Sequence, residues 1–270
     1  MTRYQNVLIT GAAGSVGRLL RRALRGRYPN LRLSDVQPLE DVDADEDVEI
    51  ADLSDLDAVH HLMRGVDAVI HMGGISAEDT WDALLPANVV GTYNVYEAAR
   101  RAGVKRVIFA SSNHVVGFYR RDRVIGPEEA IRPDTRYGVT KAFGEALARF
   151  YADKHGLESI CLRIGQFRPS PTLSRMLSLW LSPQDMVRLV QSSLDADNIH
   201  FEVVYGVSAN QRGWYANPGA VKIGYVPLEN AEDHVMEVEA HPDSEDEVGR
   251  LFQGGPFCSI EFDGSTDHVE

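Results

Sequence analysis

A glycine-rich turn directly after the first apolar segment constrains the fold of this chain more than any other feature. Residues 6–10 (NVLIT) are apolar, Gly11-Ala-Ala-Gly14-Ser-Val-Gly17 follows them, and apolar residues then recur at helical spacing. Three glycines let the turn tighten, let the backbone approach a pyrophosphate and let the helix pack closely on the strand. The helix N-terminus offers free N–H groups to phosphates. The segment therefore predicts a strand, a turn and a helix that bind a dinucleotide.

Further strands and helices alternate through the first two thirds of the chain. The predicted strands are 31–35, 48–50, 67–71, 106–111 and 158–164, and the long predicted helices are 81–102 and 137–155. Pro86 is expected in the first turns of its helix or at a kink. Alternation at this spacing predicts βαβ units, and hence an α/β fold with a doubly wound parallel (Rossmann) sheet.

The pattern weakens after Gly165, where three prolines interrupt it. Residues 172–181 and 183–194 are predicted as short helices, and 201–205 as an added strand. We expect residues 1–165 to form the Rossmann core with the catalytic residues. Residues 166–270 are expected to form a small substrate-covering lobe that packs on the core as one unit.

Composition excludes several classes of function. The net charge of −13 opposes binding to a phosphate backbone, so no nucleic-acid partner is expected. No apolar segment approaches the length of a membrane span, and no signal peptide is evident at the N-terminus, so no membrane partner is expected either. Two cysteines, Cys161 and Cys258, give no disulfide framework and suggest a cytoplasmic protein. No metal-ligand spacing occurs. The acidic, lysine-poor composition fits either a salt-tolerant source or a high-GC genome.

A carboxylate at the end of the second predicted strand indicates which dinucleotide is bound. Asp35 lies 24 residues after Gly11, where a carboxylate accepts hydrogen bonds from the adenosine ribose. It would repel a 2′-phosphate, and neither Arg nor Lys occurs between Asp35 and Arg64. NAD is therefore preferred over NADP. Asp52 and Leu53 follow the third strand and are placed to contact adenine, although Asp52 alternatively caps a helix.

Tyr137 and Lys141 are four residues apart on a predicted helix and so share one face. An unperturbed tyrosine has a pKa of about 10, so little of the phenolate that could act as a base is present at neutral pH. A neighbouring ammonium favours the phenolate and is expected to lower this pKa. Ser112 follows the fifth strand, at the sheet edge where the cofactor would lie. These three residues predict a catalytic set in which Ser112 holds the reacting oxygen.

The ordered landmarks GAAGSVG, ADLSD, IHMGG, ASSNHVVG and YGVTK resemble the extended short-chain dehydrogenase/reductase superfamily from residue 6 to about residue 170. Within it, SSNHVVGFY, RYGVTKAFGE and LRIGQFRPSP are similar to the uronate dehydrogenases. One landmark departs from the superfamily: Val116 replaces the tyrosine of a common VYG triplet, which puts a residue that stacks on nucleotide-sugar ligands in doubt.

The resemblance implies a role for each matched residue. Ser112, Tyr137 and Lys141 are the implied catalytic residues. The implied NAD-binding residues are Gly11, Gly14, Ser15, Val16, Gly17, Asp35, Asp52, Leu53, Met72, Gly73, Asn88, Tyr137 and Lys141. The implied substrate-binding residues are Ser76, Ser112, Asn113, His114, Tyr137 and Arg175.

Two of the substrate residues have alternative interpretations. A guanidinium suits a sugar carboxylate, but Arg175 is as readily a surface ion-pair residue, with Arg168 as the next candidate. His114 is nearly as readily a structural histidine at a strand end.

The activity implied by the resemblance is NAD-dependent oxidation of a hexuronic acid at C1 to an aldarolactone. Glucuronate and galacturonate are not distinguished, nor is the size of the lactone ring. Two alternatives stay open: an epimerase or dehydratase that acts on a nucleotide sugar and retains NAD, and a non-catalytic dinucleotide-sensing protein. Helices 81–102 and 137–155 are expected to pair with a twofold mate, so the chain is predicted to form a homo-oligomer.

Overall fold

A computed structural model of the chain describes residues 3–44, 46–240 and 245–269. Within these ranges, seven parallel strands form one sheet in the order β3-β2-β1-β4-β5-β6-β9, and β7 pairs with β8 in a small second sheet. The strands are β1 (Asn6–Thr10), β2 (Asn30–Asp35), β3 (Asp47–Ile50), β4 (Ala68–His71), β5 (Arg106–Ser112), β6 (Glu158–Ile164), β7 (Gln166–Phe167), β8 (Trp180–Leu181) and β9 (Phe201–Gly206).

Helices cover both faces of the main sheet. They are α1 (Ser15–Leu24), α2 (Leu56–Leu62), α3 (Trp81–Leu84), α4 (Gly91–Ala102), α5 (Arg136–His155), α6 (Met176–Leu179), α7 (Pro183–Asp195), α8 (Pro218–Ile223), α9 (Val235–Glu239), α10 (Glu247–Leu251) and α11 (Pro256–Ser259). All seven residues of β5 are buried, as expected for a central strand with helices on each face. The prediction of a doubly wound parallel sheet is confirmed.

The predicted helix 81–102 is continuous but irregular. A π-helical segment, Leu85–Val90, separates α3 from α4. Pro86 lies in the first turn of this segment, and the N–H of Gly91 reaches back to the Pro86 carbonyl. Proline lacks an N–H and its ring crowds the carbonyl four residues earlier, so the helix widens locally. The predicted irregularity at Pro86 is thus confirmed as a π-helical segment.

Helix α5 begins and ends at residues suited to those positions. The Thr135 hydroxyl accepts a hydrogen bond from the Gly138 N–H at 3.1 Å and caps the N-terminus. At the C-terminus Gly156 has φ +68°, a conformation that favours glycine. These two ends fix the helix that carries Tyr137 and Lys141.

The segment after β6 differs in part from its prediction. The predicted helix 172–181 is wrong over much of its length, because only Met176–Leu179 is helical and β8 follows it. A side chain at Gly165 would overlap the Leu179 carbonyl oxygen, so the close approach of this segment to the end of β6 permits β7–β8 pairing. The added strand at 201–205 is confirmed as β9, which pairs with β6. The division of the chain at residues 165 and 166 stays a prediction.

No helix in the described ranges combines the length and apolarity needed to cross a membrane.

Candidate active site

A cleft of about 930 Å³ lies at the carboxyl ends of β1, β2 and β4. The strand order changes direction between β1 and β4, and the crevice outside such a switch point is where α/β sheets bind ligands. The glycine turn, Asp35, Asp52, Leu53, Met72, Gly73 and Ser76 all contribute to its wall.

The glycine turn forms a cradle that side chains would fill. Gly11 has φ +71°, and a Cβ there would lie 2.6 Å from the Gly73 nitrogen. A Cβ at Gly17 would overlap the Gly11 carbonyl oxygen. Helix α1 begins after Gly14 with no side-chain cap, so its first N–H groups are available to an anion. This arrangement fits the pyrophosphate of a dinucleotide.

Two carboxylates line the cleft at the ends of β2 and β3. Asp35 accepts hydrogen bonds from the Ala13 N–H at 2.9 Å and the Gln37 N–H at 3.0 Å, which fixes its side chain at the end of β2. Asp52 accepts from the Ser54 N–H at 2.8 Å. It does not cap α2, because Asp55 is the capping residue there. The alternative interpretation of Asp52 as a helix cap is therefore wrong.

Asn88 is buried and joins the loop after β4 to helix α5. Its side-chain oxygen accepts from the Ile75 N–H at 2.8 Å, and its amide nitrogen donates to the Ile75 carbonyl at 3.0 Å and to the Thr140 hydroxyl at 3.1 Å. The side chain thus fixes the backbone of the loop that carries Ser76. Its predicted contact with NAD stays a prediction.

Ser112, Tyr137 and Lys141 come together beside the cleft, and all three are buried. The Ser112 hydroxyl approaches the Tyr137 phenol closely enough to lower its pKa. The Lys141 Nζ lies 5.5 Å from the centroid of the Tyr137 ring and 5.1 Å from that of Phe109. Strand β5 supplies the serine and α5 the other two residues. The juxtaposition of the three residues, predicted from their spacing, is present.

The acidity of Tyr137 differs from the expectation. Burial raises the pKa of Tyr137 to about 12, against the opposing effect of its hydrogen bond with Ser112, and the Asp134 carboxylate raises it further. Burial also lowers the pKa of Lys141 to about 8. The expectation that the ammonium lowers the tyrosine pKa is thus wrong for the chain by itself, because burial dominates the shift and Lys141 is not among its causes.

Arg175 and Asn113 are buried and meet at the same end of the sheet. In the amide orientation that satisfies both of its polar atoms, Asn113 donates to the Ile164 carbonyl at 3.1 Å and accepts from Arg175 Nη2 at 3.2 Å. Arg175 Nε donates to the Gln253 carbonyl at 2.8 Å. Burial lowers the pKa of Arg175. The interpretation of Arg175 as a surface ion-pair residue is wrong, since this guanidinium is 6% exposed.

The remaining candidates differ in accessibility. Ser76 is exposed on the wall of the cleft, and Arg168 is exposed after β7. His114 is buried, and its backbone N–H donates to the Ser112 hydroxyl oxygen at 3.2 Å. The centroid of its ring lies 6.0 Å from that of the Tyr137 ring. His114 is therefore adjacent to both catalytic candidates.

Sequence reasoning missed several residues that support this site. Glu78 accepts a hydrogen bond from the Tyr137 N–H at 2.8 Å and pairs with Arg136 at 2.8 Å. Asp134 contacts the His114 ring, and the Phe257 ring stacks on the same histidine. Asp134 precedes a threonine at a helix start, where an acidic residue ordinarily indicates capping. Phe257 is distant in the chain, and no pattern in the sequence connects it with β5.

Comparison with known proteins identifies a matching family and similar proteins. Residues 7–183 match the model of the NAD dependent epimerase/dehydratase family. A uronate dehydrogenase of Pseudomonas syringae pv. tomato is 45% identical over 260 residues, which cover 96% of this chain and 94% of that protein.

Solved structures extend this similarity to the backbone. Uronate dehydrogenase from Agrobacterium tumefaciens, in a mutant form complexed with NAD, superposes with a TM-score of 0.90 at 41% identity, covering 94% of this chain and 97% of that chain. Glucuronic acid dehydrogenase from Chromohalobacter salexigens gives a TM-score of 0.91 at 40% identity, covering 98% and 99%.

Proposed function

The chain belongs to the NAD dependent epimerase/dehydratase family, and from that premise we propose that it is an NAD-dependent uronate dehydrogenase, which oxidises a hexuronic acid at C1 to an aldarolactone. The relatives described above are uronate dehydrogenases that match nearly the whole chain. The observation that carries the proposal is the buried Ser112–Tyr137–Lys141 set next to a cleft that fits a dinucleotide.

NAD would be held by the cleft at the carboxyl ends of β1, β2 and β4. Its pyrophosphate would meet the uncapped N-terminus of α1, and its ribose would meet Asp35. The residues proposed to contact it are Gly11, Gly14, Ser15, Val16, Gly17, Asp35, Asp52, Leu53, Met72, Gly73, Asn88, Tyr137 and Lys141. When bound, NAD⁺ supplies the acceptor for a hydride.

Tyr137 is the proposed general base. Its phenolate would take the proton of the C1 hydroxyl; with bound NAD⁺ available to accept the C1 hydrogen as hydride, the C1–O bond would become the lactone carbonyl. Ser112 holds the reacting oxygen, since its side chain already meets the Tyr137 phenol. Lys141 supplies positive charge near the ring. The sugar loses one hydride and one proton, and the proton then passes from Tyr137 to solvent.

Ser76, Asn113, His114 and Arg175 are the proposed contacts to the sugar acid. A uronate carries one carboxylate, and a buried guanidinium attracts it strongly because little solvent screens the charge. Arg175 supplies such a cation in a chain whose net charge is −13. It is held in place by the Gln253 carbonyl and faces Asn113. Recognition of the carboxylate is thus a local effect that opposes the overall charge.

Absorbance of NADH tests this function directly. The purified chain is mixed with NAD and a panel of free sugars and sugar acids that includes glucuronate, galacturonate, glucose and galactose. We expect NADH to accumulate with the uronates and much less with the neutral sugars. No NADH with any uronate, together with tightly retained NAD and turnover of a nucleotide sugar, would favour the epimerase or dehydratase alternative instead.

The chain is further proposed to act in the cytoplasm as a homo-oligomer. Both described cysteines are free and buried, as a reduced compartment permits. Large apolar side chains are exposed along the two helices that are expected to pair with a twofold mate.

A further inference from the structure

A buried carboxylate lies directly behind His114. The Asp134 Oδ2 is 2.6 Å from His114 Nδ1, and the Asp134 side chain is wholly inaccessible to solvent. Its second oxygen accepts a hydrogen bond from the Thr135 hydroxyl at 2.9 Å. Burial of a carboxylate is costly unless such donors satisfy it. Of these two partners the His114 ring is the closer.

Two glycines lie directly against the Asp134 carboxylate, where a larger residue would overlap it. A Cβ at Gly117 or at Gly254 would overlap Asp134 Oδ2. Gly117 follows β5 and Gly254 lies near the C-terminus, and the Gly254 N–H donates to the Gly117 carbonyl at 2.8 Å. The absence of side chains at these two glycines leaves room for the Asp134 carboxylate beside His114.

The His114 ring is fixed in its plane as well as at one nitrogen. The Phe257 ring stacks on it at 4.1 Å between centroids, with an angle of 19° between the planes. The backbone N–H of His114 donates to the Ser112 hydroxyl oxygen, which ties the residue itself to the end of β5. Nε2 has no hydrogen-bond partner among the residues that the structure describes. This nitrogen is therefore free for a ligand.

We propose that Asp134 is a positioning residue for substrate recognition, which acts through His114. This inference rests on the proposed function. A carboxylate that accepts from Nδ1 keeps a proton there, so the neutral form of the His114 ring presents Nε2 as a hydrogen-bond acceptor. Nε2 then accepts a hydrogen bond from a hydroxyl group of the sugar. Asp134 itself does not touch the substrate.

An isosteric change tests the proposal, because Asp134→Asn keeps the volume but exchanges a carboxylate, which only accepts hydrogen bonds, for an amide, which can also donate. The amide can donate to Nδ1, which moves the ring proton to Nε2 and replaces the acceptor with a donor. Steady-state kinetics should show a rise in KM for glucuronate of about tenfold, with KM for NAD changed less than about twofold. A similar KM for glucuronate in the folded variant would overturn the proposal.

A double-mutant cycle shows whether the effect passes through the histidine. In a His114→Phe background, Asp134→Asn should cost no further loss of kcat/KM, since the group it orients is gone. Additive losses would contradict the proposal. Asp185→Asn is the matched control, because the Asp185 side chain is also wholly inaccessible to solvent and accepts from the Leu228 and Glu229 N–H groups and from Arg188, none of which is proposed to bind substrate. Its KM for glucuronate should stay at the wild-type value.

A spectroscopic measurement is independent of turnover and of whether the variant folds. NMR of the wild-type protein labelled with ¹⁵N-histidine, at mildly alkaline pH, should show His114 with its proton on Nδ1. A proton on Nε2 would overturn the inference even if uronates are oxidised. Conversely, if the wild-type protein oxidises no uronate, the proposed function fails while the ring proton still reports what Asp134 does.

Discussion

Tyr137, the proposed general base, shows how strongly burial influences a single ionisable group. Its spacing from Lys141 and the position of Ser112 were predictable, because strand ends and helix faces follow from the pattern of apolar residues. Its pKa was not predictable, because burial is a property of the packed molecule. In the folded chain, desolvation raises that pKa to about 12 and lowers the pKa of Lys141 to about 8.

Removal of the phenol oxygen should abolish proton transfer and leave the cleft intact. We expect Tyr137→Phe to lower kcat by a factor of about 10² to 10⁴, the usual contribution of a general base. The dissociation constant for NAD, measured by calorimetry, should change little because the ring remains. Tyr225→Phe is a matched control: that buried phenol donates to the Val207 carbonyl and has no proposed role in binding or proton transfer. Full activity in Tyr137→Phe would remove this residue from the mechanism.

The activity should also increase with pH. A general base acts in its deprotonated form, and the raised pKa of Tyr137 means that its phenolate is scarce at neutral pH. Between pH 6 and pH 8 the value of kcat/KM should therefore rise by up to about tenfold per pH unit. Above the pKa of Lys141, about 8, loss of the ammonium should flatten the profile. A profile that falls across the lower range would contradict a tyrosine base.

At the scale of elements, regular local patterns were predictable and long-range packing was not. Strands β1 and β6 have the bounds that their apolar runs predicted. Pro86 indicated an irregular helix, since its covalent structure forbids a normal one. Strand β8 lies where a helix was expected, because its pairing partner β7 is more than ten residues away. Asp134 and Phe257 were missed for the same reason: their importance comes from contacts that only the fold creates.

Helix α5 depends on its N-terminal cap. Thr135→Ala removes the hydroxyl that accepts from the Gly138 N–H, so we expect the free energy of unfolding to fall by about 1 kcal/mol. Urea denaturation followed by circular dichroism measures this change. Thr135→Ser keeps the acceptor and serves as the control, with stability close to that of the wild type. Equal stability of the alanine variant would show that Glu78, which binds the Tyr137 N–H, suffices to hold this helix end.

At the scale of the whole molecule, the proposed homo-oligomer is supported by the distribution of exposed apolar side chains. Those on helix α3, the adjoining π-helical segment, α4 and α5 are Trp81, Leu85, Val90, Tyr93, Val139, Phe143 and Phe150. Scattered exposed apolar residues are normal, whereas a contiguous set on neighbouring helices is typical of an interface. A twofold mate that presents the same two helices would bury this surface.

Charge placed on this surface should separate the protomers. In the double variant Val139→Asp and Phe143→Asp, each carboxylate would be buried without a partner at a twofold interface, which is strongly unfavourable. Size-exclusion chromatography with light scattering should give the mass of an oligomer for the wild type and of one chain for the variant. Val221→Asp is the control, because Val221 is more exposed than Val139 and lies on α8, outside this surface. A wild-type protein with the mass of a single chain would contradict the homo-oligomer. An oligomer that persists in the double variant would move its interface to another face, since two new carboxylates per protomer could not be buried across α5 without loss of association.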